Sequence, residues 1–244
     1  MRAVAAAAGI LLGLRVLGGS APASAAQATP LSFRTTDGVQ IAATFYPANR
    51  KPSACVILLH ALTRSRDDWQ AVAARLADAG ISALAIDLRG HGASGPDPAG
   101  GPGADDLSRD VLDVQAAHAF LASRPDLGVT AVGIAGADIG ANLAVVAAAA
   151  TPSIRSIALL SPGLDYRNIR TEAAFKKYGD RPALLVASEE DSYATRSIRR
   201  IEKGAASGTR EVRLVNGAGH GTVMLARQPD LVALLVEWFQ RTLR

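Results

Sequence analysis

Apolar runs typical of buried strands alternate with segments of helical spacing along most of this chain. The run over residues 54–59 is continuously apolar, as expected for a strand that is covered on both faces, and residues 81–86 predict a second buried strand. The intervening residues 68–79 have helical spacing and stop at Gly80. Repeated alternation of this kind predicts an α/β fold, with a mostly parallel sheet, right-handed connections and helices on both faces.

The predicted elements account for one domain over residues 29–244. Strands are predicted at residues 31–36, 39–46, 54–59, 81–86, 129–135, 154–160, 183–187 and 210–215. Helices are predicted at residues 68–79, 107–122, 140–150, 193–203 and 231–241. Asp37-Gly38 favours a hairpin between the first two strands, which adds an antiparallel edge. The glycine- and proline-rich residues 90–103 predict a loop, and Trp69, Trp238 and Cys55 are expected in the core.

Residues 1–28 have the layout of a secretory signal peptide. Arg2 supplies a positive amino end, an apolar stretch follows, and small residues then offer cleavage after Ala25 or after Ala28. Arg15 closes the apolar stretch and leaves it too short to span a bilayer comfortably. We therefore expect an exported protein, periplasmic or secreted, with no stable membrane span after cleavage.

Composition excludes several classes of partner. The formal net charge of +4 is too small to indicate a nucleic-acid-binding protein. A single cysteine allows no internal disulfide, and the absence of a Cys/His cluster in the sequence argues against a metal site. The glycine-rich loops do not match a phosphate-binding pattern, so no cofactor is predicted. The expected partner is a small-molecule substrate or ligand.

An aspartate stands at a sharp turn between a predicted strand and a predicted helix. The strand over residues 129–135 runs directly into Gly136-Ala137-Asp138-Ile139-Gly140. Glycines two residues before and two after Asp138 allow a tight turn that a side chain would obstruct. This is the nucleophile-elbow layout, with aspartate in place of the usual serine.

Three further polar loops follow predicted strands in a fixed order. His60-Ala61-Leu62 follows the third strand, Ser188-Glu189-Glu190-Asp191 the penultimate one, and Asn216-Gly217-Ala218-Gly219-His220 the last. In parallel sheets such strand ends share one edge, so these side chains are expected to converge. The loop 87–95 also follows a strand, and its His91 is expected to be structural because the turn glycines explain the motif.

Together these loops resemble the α/β-hydrolase superfamily, in its small esterase and dienelactone-hydrolase-like branch. The resemblance covers residue 31 to the last residue and implies a triad of Asp138, Asp191 and His220, with Glu190 as the fallback acid. It also implies an oxyanion hole from two backbone N–H groups, those of Leu62 and Ile139. Only 21 residues, 162–182, separate two predicted strands where related enzymes insert a cap, so no large cap is expected.

Aspartate at the elbow conflicts with serine-type ester hydrolysis. Serine works because a histidine removes its proton during attack, whereas an aspartate is already anionic at neutral pH. The resemblance therefore predicts a hydrolase of a small ester or of a carbon bearing a leaving group, with an atypical triad. Two alternatives remain open: an aspartate-nucleophile enzyme of the dehalogenase or epoxide-hydrolase kind, with Tyr166 or Tyr178 as a leaving-group donor, and a catalytically inactive binding protein.

Overall fold

The computed structural model describes residues 27–98, 107–204 and 208–244 of the chain. Its strands are β1 (Thr29–Arg34), β2 (Gln40–Tyr46), β3 (Ser53–Leu59), β4 (Ser82–Ile86), β5 (Val129–Ala137), β6 (Ile154–Leu160), β7 (Asp165–Tyr166), β8 (Ile169–Arg170), β9 (Ala183–Ser188) and β10 (Arg210–Val215). Its helices are α1 (Gln70–Asp78), α2 (Val111–Ala122), α3 (Ile139–Ala150), α4 (Glu172–Tyr178), α5 (Ser192–Gly204), α6 (Val223–Arg227) and α7 (Asp230–Thr242). The predicted signal peptide up to residue 26, and residues 99–106 in and after the predicted glycine-rich loop, lie outside the described residues.

Eight strands form one mixed sheet in the order β1-β2-β4-β3-β5-β6-β9-β10. β1 pairs antiparallel with β2, and β2 pairs antiparallel with β4. Every other pairing in this sheet is parallel. The predicted parallel sheet with an antiparallel hairpin at one edge is therefore confirmed, and the hairpin turns at Gly38, whose φ is +89°.

Helices cover both faces of this sheet. One apolar cluster joins the sheet to α2, α3, α4 and α5, and a second joins its other face to α1, α6 and α7. Cys55, Trp69 and Trp238 are fully buried, as predicted. α3 is buried nearly all round because half of its residues are alanine, whose small side chains let it approach β5 and β6 closely. Within the described residues, no helix combines the length and the apolar character needed to cross a bilayer.

Several short elements were not predicted from the sequence pattern. They are the two-residue strands β7 and β8, the seven-residue helix α4 and the five-residue helix α6. Segments this short contain too few residues for a periodicity of 2.0 or 3.6 to be recognised. β7, β8 and α4 fill the space between β6 and β9, where related enzymes can insert a cap.

A buried arginine holds the loops at the antiparallel edge together. The side chain of Arg89 is fully buried, and its guanidinium bonds Asp37 at 2.8 Å and Asp113 at 2.8 and 2.9 Å. Asp37 also pairs at 3.0 Å with Arg109, which is more than half exposed. Burial outweighs the arginine at Asp113 and raises the pKa of that carboxyl to about 6, whereas the hydrogen bond from Arg89 holds the pKa of Asp37 well below its usual range. Arg89 is the buried cation that offsets part of the cost of burying these acids.

Replacing this arginine is expected to destabilise the fold strongly. Arg89→Met leaves Asp37 and Asp113 without their buried cation, which we expect to lower the free energy of unfolding by about 3–5 kcal/mol. Arg109→Met, which breaks only an exposed pair with Asp37, should cost less than about 1 kcal/mol. Urea denaturation at pH 7 measures both. Equal effects of the two variants would contradict the importance assigned to the buried cation.

Candidate active site

Asp138 occupies a strained turn between β5 and α3. Its φ of +56° and ψ of −118° lie in a region that residues other than glycine rarely adopt. A Cβ on Gly136 would lie 2.1 Å from the carbonyl oxygen of Gly140, and one on Gly140 would lie 2.5 Å from the carbonyl oxygen of Leu59. The two glycines are therefore required by backbone packing, as the sequence spacing predicts.

The Asp138 carboxylate is held between three neighbours and is only 6% exposed. Its Oδ2 accepts a hydrogen bond of 3.0 Å from the backbone N–H of Leu62. Its Oδ1 lies 3.2 Å from Nε2 of His220, an ion-pair contact without the geometry of a well-formed hydrogen bond. The phenol of Tyr166 lies near enough to the same carboxylate to influence its pKa. The carboxylate makes no hydrogen bond that caps its own helix, although Asp138 is the N-cap residue of α3.

The predicted oxyanion-hole residues lie on either side of this carboxylate. The N–H of Leu62, in the loop after β3, is already engaged by Asp138. Ile139 is buried and is the first residue of α3, where N–H groups have no acceptor within the helix. The structure thus directs the Leu62 donor at the Asp138 anion itself, in the place where an esterase would bind the substrate oxyanion.

His220 lies between two carboxylates. Its Nδ1 is 2.6 Å from Oδ2 of Asp191, and its Nε2 faces Asp138. The other oxygen of Asp191 accepts from the N–H of Ala194 at 3.1 Å, at the amino end of α5. Asp191 is therefore both a helix cap and the partner of His220. The fallback acid, Glu190, does not contact the imidazole and instead accepts hydrogen bonds from the histidine loop and from Ser188.

The loop that carries His220 is anchored by three polar side chains at the carboxyl edge of the sheet. Glu190 accepts from the N–H of Gly217 at 3.0 and 3.1 Å. The Ser188 hydroxyl accepts from Ala218 N–H at 3.1 Å, and the Ser161 hydroxyl accepts from Gly221 N–H, also at 3.1 Å. Ser161 is buried and engaged in this way, so it is a turn residue rather than a free nucleophile.

The charges of this site shift the pKa values of its members. The Asp138 carboxylate raises the pKa of His220 from 6.5 to about 9. Burial of the imidazole opposes this shift, and Asp191 adds to it. Burial acts to raise the pKa of the Asp138 carboxyl, but His220, Tyr166 and the Leu62 N–H outweigh it and lower that pKa. At neutral pH the Asp138 carboxylate therefore lies beside an imidazolium at His220.

The Asp138→Asn variant should return the pKa of His220 toward its ordinary value. The amide removes the neighbouring charge, so we expect the pKa to fall by at least one unit in an NMR titration of the imidazole. In the unmodified protein, the stability contributed by protonating His220 is complete below pH 6.5 and is lost as the pH rises through 9. That pH dependence should shrink in the variant. Glu189→Gln, at an exposed carboxylate, is the control, and an equal fall there would refute the assignment.

The two other histidines near this edge are structural. The ring of His60 is fully buried, with Nδ1 2.7 Å from a backbone carbonyl oxygen and Nε2 accepting from Leu88 N–H at 3.0 Å. Burial lowers the pKa of His60 to about 4. His91 similarly bonds a carbonyl oxygen at 2.9 Å and accepts from Thr63 N–H at 3.2 Å. The structural role expected for His91 is confirmed, and both rings brace the loop that positions Leu62.

Sequence reasoning did not single out Asn142, which fixes the position of Tyr166. The buried amide of Asn142 donates to the carbonyl oxygen of Ile169 in β8 and accepts from the N–H of Gly163, both at 2.9 Å. It thereby ties the β7–β8 hairpin, which carries Tyr166, to the first turn of α3. No local pattern marked this link, because the two segments meet only in the folded protein. In the described parts of the chain, no group of His, Cys, Asp and Glu is arranged to hold a metal ion.

Solved structures share this fold at low sequence identity. A dienelactone hydrolase from Anabaena variabilis superimposes with a TM-score of 0.74 at 21% identity, over 89% of this chain and 99% of that one. An esterase from Pyrococcus furiosus gives 0.73 at 17% identity, over 95% and 97%. A ferulic-acid-bound protein, Est1E from Butyrivibrio proteoclasticus, gives 0.71 at 20% identity, over 86% and 97%. At such identities the likeness establishes the fold.

Comparison with known sequences and family models shows which family the chain belongs to. No curated protein sequence matches the chain significantly. The model of the family described as Hydrolase_4, serine aminopeptidase S33, matches residues 50–181, which is more than half of the chain. That segment includes the elbow, the loop after β3 and the β7–β8 hairpin. The protein therefore belongs to the serine aminopeptidase S33 family of α/β-hydrolases.

Proposed function

We propose that this protein is a hydrolase in which Asp138 attacks an electrophilic carbon bearing a leaving group. The observation that supports the proposal is the unequal environment of the two Asp138 oxygens. Oδ2 is fixed by the N–H of Leu62, whereas Oδ1 accepts no well-formed hydrogen bond from the described residues. The lone pairs of Oδ1 are therefore the ones not committed to a hydrogen bond, although Oδ1 is buried beside His220, and a substrate would reach it only by displacing the neighbours that cover it.

The first step would form an alkyl ester of Asp138. Oδ1 forms the new C–O bond while the leaving group departs with the electron pair of the bond that breaks. When the leaving atom is oxygen, the phenol of Tyr166 is the nearby acid that can protonate it. Burial raises the pKa of that phenol above its usual value, and the negative charge of Asp138 raises it further. Esterification removes this charge and so makes Tyr166 a stronger acid as the reaction proceeds.

The second step would hydrolyse the ester. Esterification also removes the charge that raises the pKa of His220, so the imidazole can release its proton and act as a base. His220 then takes a proton from water, whose oxygen attacks the Asp138 carboxyl carbon. The negative charge develops on Oδ2, which already faces the Leu62 N–H. Collapse breaks the bond between the carboxyl carbon and the alkyl oxygen, and the His220 imidazolium returns its proton to that oxygen, which leaves as an alcohol. Asp191 holds the imidazole in orientation.

Isotope labelling tests this mechanism directly. Turnover of an epoxide or haloalkane in ¹⁸O-water is expected to label the Asp138 carboxylate, read as a mass increase in the peptide that contains it. His220→Gln should accumulate the alkyl ester, visible in the intact mass, because the base for the second step is missing. Asp138→Asn is the control that should show neither turnover nor adduct. Turnover that leaves Asp138 unlabelled would exclude the aspartyl ester.

A second candidate is a non-catalytic binding protein with a hydrolase fold. Two observations favour it: the Asp138 side chain is 6% exposed, and its carboxylate occupies the Leu62 donor that an ester substrate would need. This candidate predicts ligands that raise the melting temperature without being consumed. A substrate panel followed by both thermal shift and product analysis separates it from the enzyme.

A further inference from the structure

The excess of positive over negative charge in this chain lies on two neighbouring helices. α4 and α5 together contain six lysine and arginine residues and two glutamates. The whole chain has 26 basic and 22 acidic residues, so 20 of each remain once these helices are set aside. The formal net charge of +4 therefore resides entirely on α4 and α5.

The basic side chains of these helices form one exposed face. α5 buries Ala194, Ile198 and Ile201 against the sheet and turns its basic residues to solvent. The exposed cations are Arg196, Arg199, Arg200 and Lys203 on α5, and Lys176 and Lys177 on α4. We call these six residues the basic face.

Two contacts show that the basic face is continuous across the helices. Arg200 pairs with Glu172 at 3.1 Å, which brings the start of α4 beside the middle of α5. The Cε of Lys176 lies 3.3 Å from the point where a Cβ on Gly204 would stand, at the end of α5. Among the described residues, Glu172 is the acid found within ion-pair distance of a cation of this face.

The basic face carries more positive than negative charge: Glu172 pairs with Arg200, and Glu202 is an exposed acid on α5, but four cations of α5 still lie close together. Arg196 lies three and four residues before Arg199 and Arg200, and Lys203 lies three and four residues after Arg200 and Arg199, so these cations neighbour like charges on α5. Like charges at these spacings destabilise a helix by a few tenths of a kcal/mol per pair. An anionic partner surface would reverse the sign of this interaction.

We propose that the basic face binds anionic lipid headgroups at a bilayer surface. Clusters of four to eight lysine and arginine residues on an amphipathic helix are typical of proteins that bind such surfaces. The long side chains of the basic face spread positive charge over two adjacent helices. This breadth suits a bilayer surface, which presents its negative charge as a flat, diffuse array. Single-stranded nucleic acid would also require aromatic side chains for stacking, but the exposed aromatic of α5, Tyr193, has its hydroxyl tied to the backbone of Asp165.

Vesicle sedimentation with the full chain tests this assignment. We expect binding to vesicles of phosphatidylglycerol and phosphatidylcholine in a 30:70 ratio to exceed binding to pure phosphatidylcholine at least tenfold in low salt. The difference should vanish in 0.5 M NaCl, where the screening length falls to about 4 Å. The variant Arg196→Gln/Arg199→Gln/Lys203→Gln should lose at least nine-tenths of this lipid-dependent binding.

A control variant separates the basic face from general charge. Arg75→Gln/Arg155→Gln/Arg244→Gln removes the same charge from exposed positions elsewhere and should bind like the unmodified chain. Circular dichroism checks that both variants fold. If one variant does not fold, the salt and lipid dependence measured for the unmodified chain still tests the proposal. Absence of a phosphatidylglycerol effect, persistence of it in 0.5 M NaCl, or equal loss in the control variant would overturn the proposal. Tighter binding to duplex DNA than to vesicles at equal phosphate concentration would overturn it as well.

Discussion

The Asp138→Ser variant is expected to hydrolyse p-nitrophenyl acetate at least tenfold faster than the unmodified protein. His220 already faces the elbow side chain, with Nε2 3.2 Å from Asp138 Oδ1, and could take a proton from a serine hydroxyl there. The substitution also frees the Leu62 N–H, which now binds the Asp138 carboxylate. Two like charges about 4 Å apart repel by roughly 4 kcal/mol at an effective dielectric near 20. Relief of this repulsion corresponds to at most about three decades in rate.

Two variants show whether this gain is serine chemistry. Asp138→Ala removes the anion without supplying a hydroxyl, so it should remain as slow as the unmodified protein. Asp138→Ser/His220→Ala should lose the gain, because nothing would then accept the serine proton. Initial rates at pH 8 measure all of them. Rapid ester hydrolysis by the unmodified protein, abolished in Asp138→Ala, would show instead that the anion does not block ester chemistry.

The Gly140→Ala variant is expected to destabilise the fold strongly. A Cβ there would lie 2.5 Å from the carbonyl oxygen of Leu59 and 2.6 Å from that of His60. Both atoms belong to the backbone where β3 meets its loop, so neither can rotate away. Relief requires α3 to move off β3, and we expect a loss of more than about 3 kcal/mol in the free energy of unfolding, at the upper end for overpacked positions.

Gly217→Ala is the matched control for this prediction. No atom lies within 4 Å of its added Cβ, but its φ of +65° carries the strain of the left-handed region. That strain costs about 1–2 kcal/mol. Chemical denaturation compares the two variants. A Gly140→Ala protein as stable as Gly217→Ala would mean that the elbow can relax, and the claim that backbone packing requires this glycine would fail.

The turn at Asp138 and the cluster of Asp138, Asp191 and His220 could be placed from sequence because each of their signals is local. Glycines around Asp138, an acidic loop ending at Asp191 and a glycine-rich loop ending at His220 each follow a recognisable strand. Parallel strands bring their carboxyl ends to one edge, so the convergence of these residues follows from topology alone. The choice of Asp191 over Glu190 is different, because both carboxylates lie in one short loop and only the path of the chain orients one of them toward the histidine.

The sequence by itself determined the α/β fold, the hairpin edge, the buried core and the three strand ends that carry Asp138, Asp191 and His220. It could do so because strand and helix periodicity, turn glycines and chain order are read within a few residues. Only the tertiary structure decided that the Asp138 carboxylate occupies the Leu62 donor, that Asn142 positions the hairpin bearing Tyr166, and that six cations of α4 and α5 share one face. These relations join segments that are distant in the chain, and their energies depend on angstrom-scale distances that no local pattern encodes.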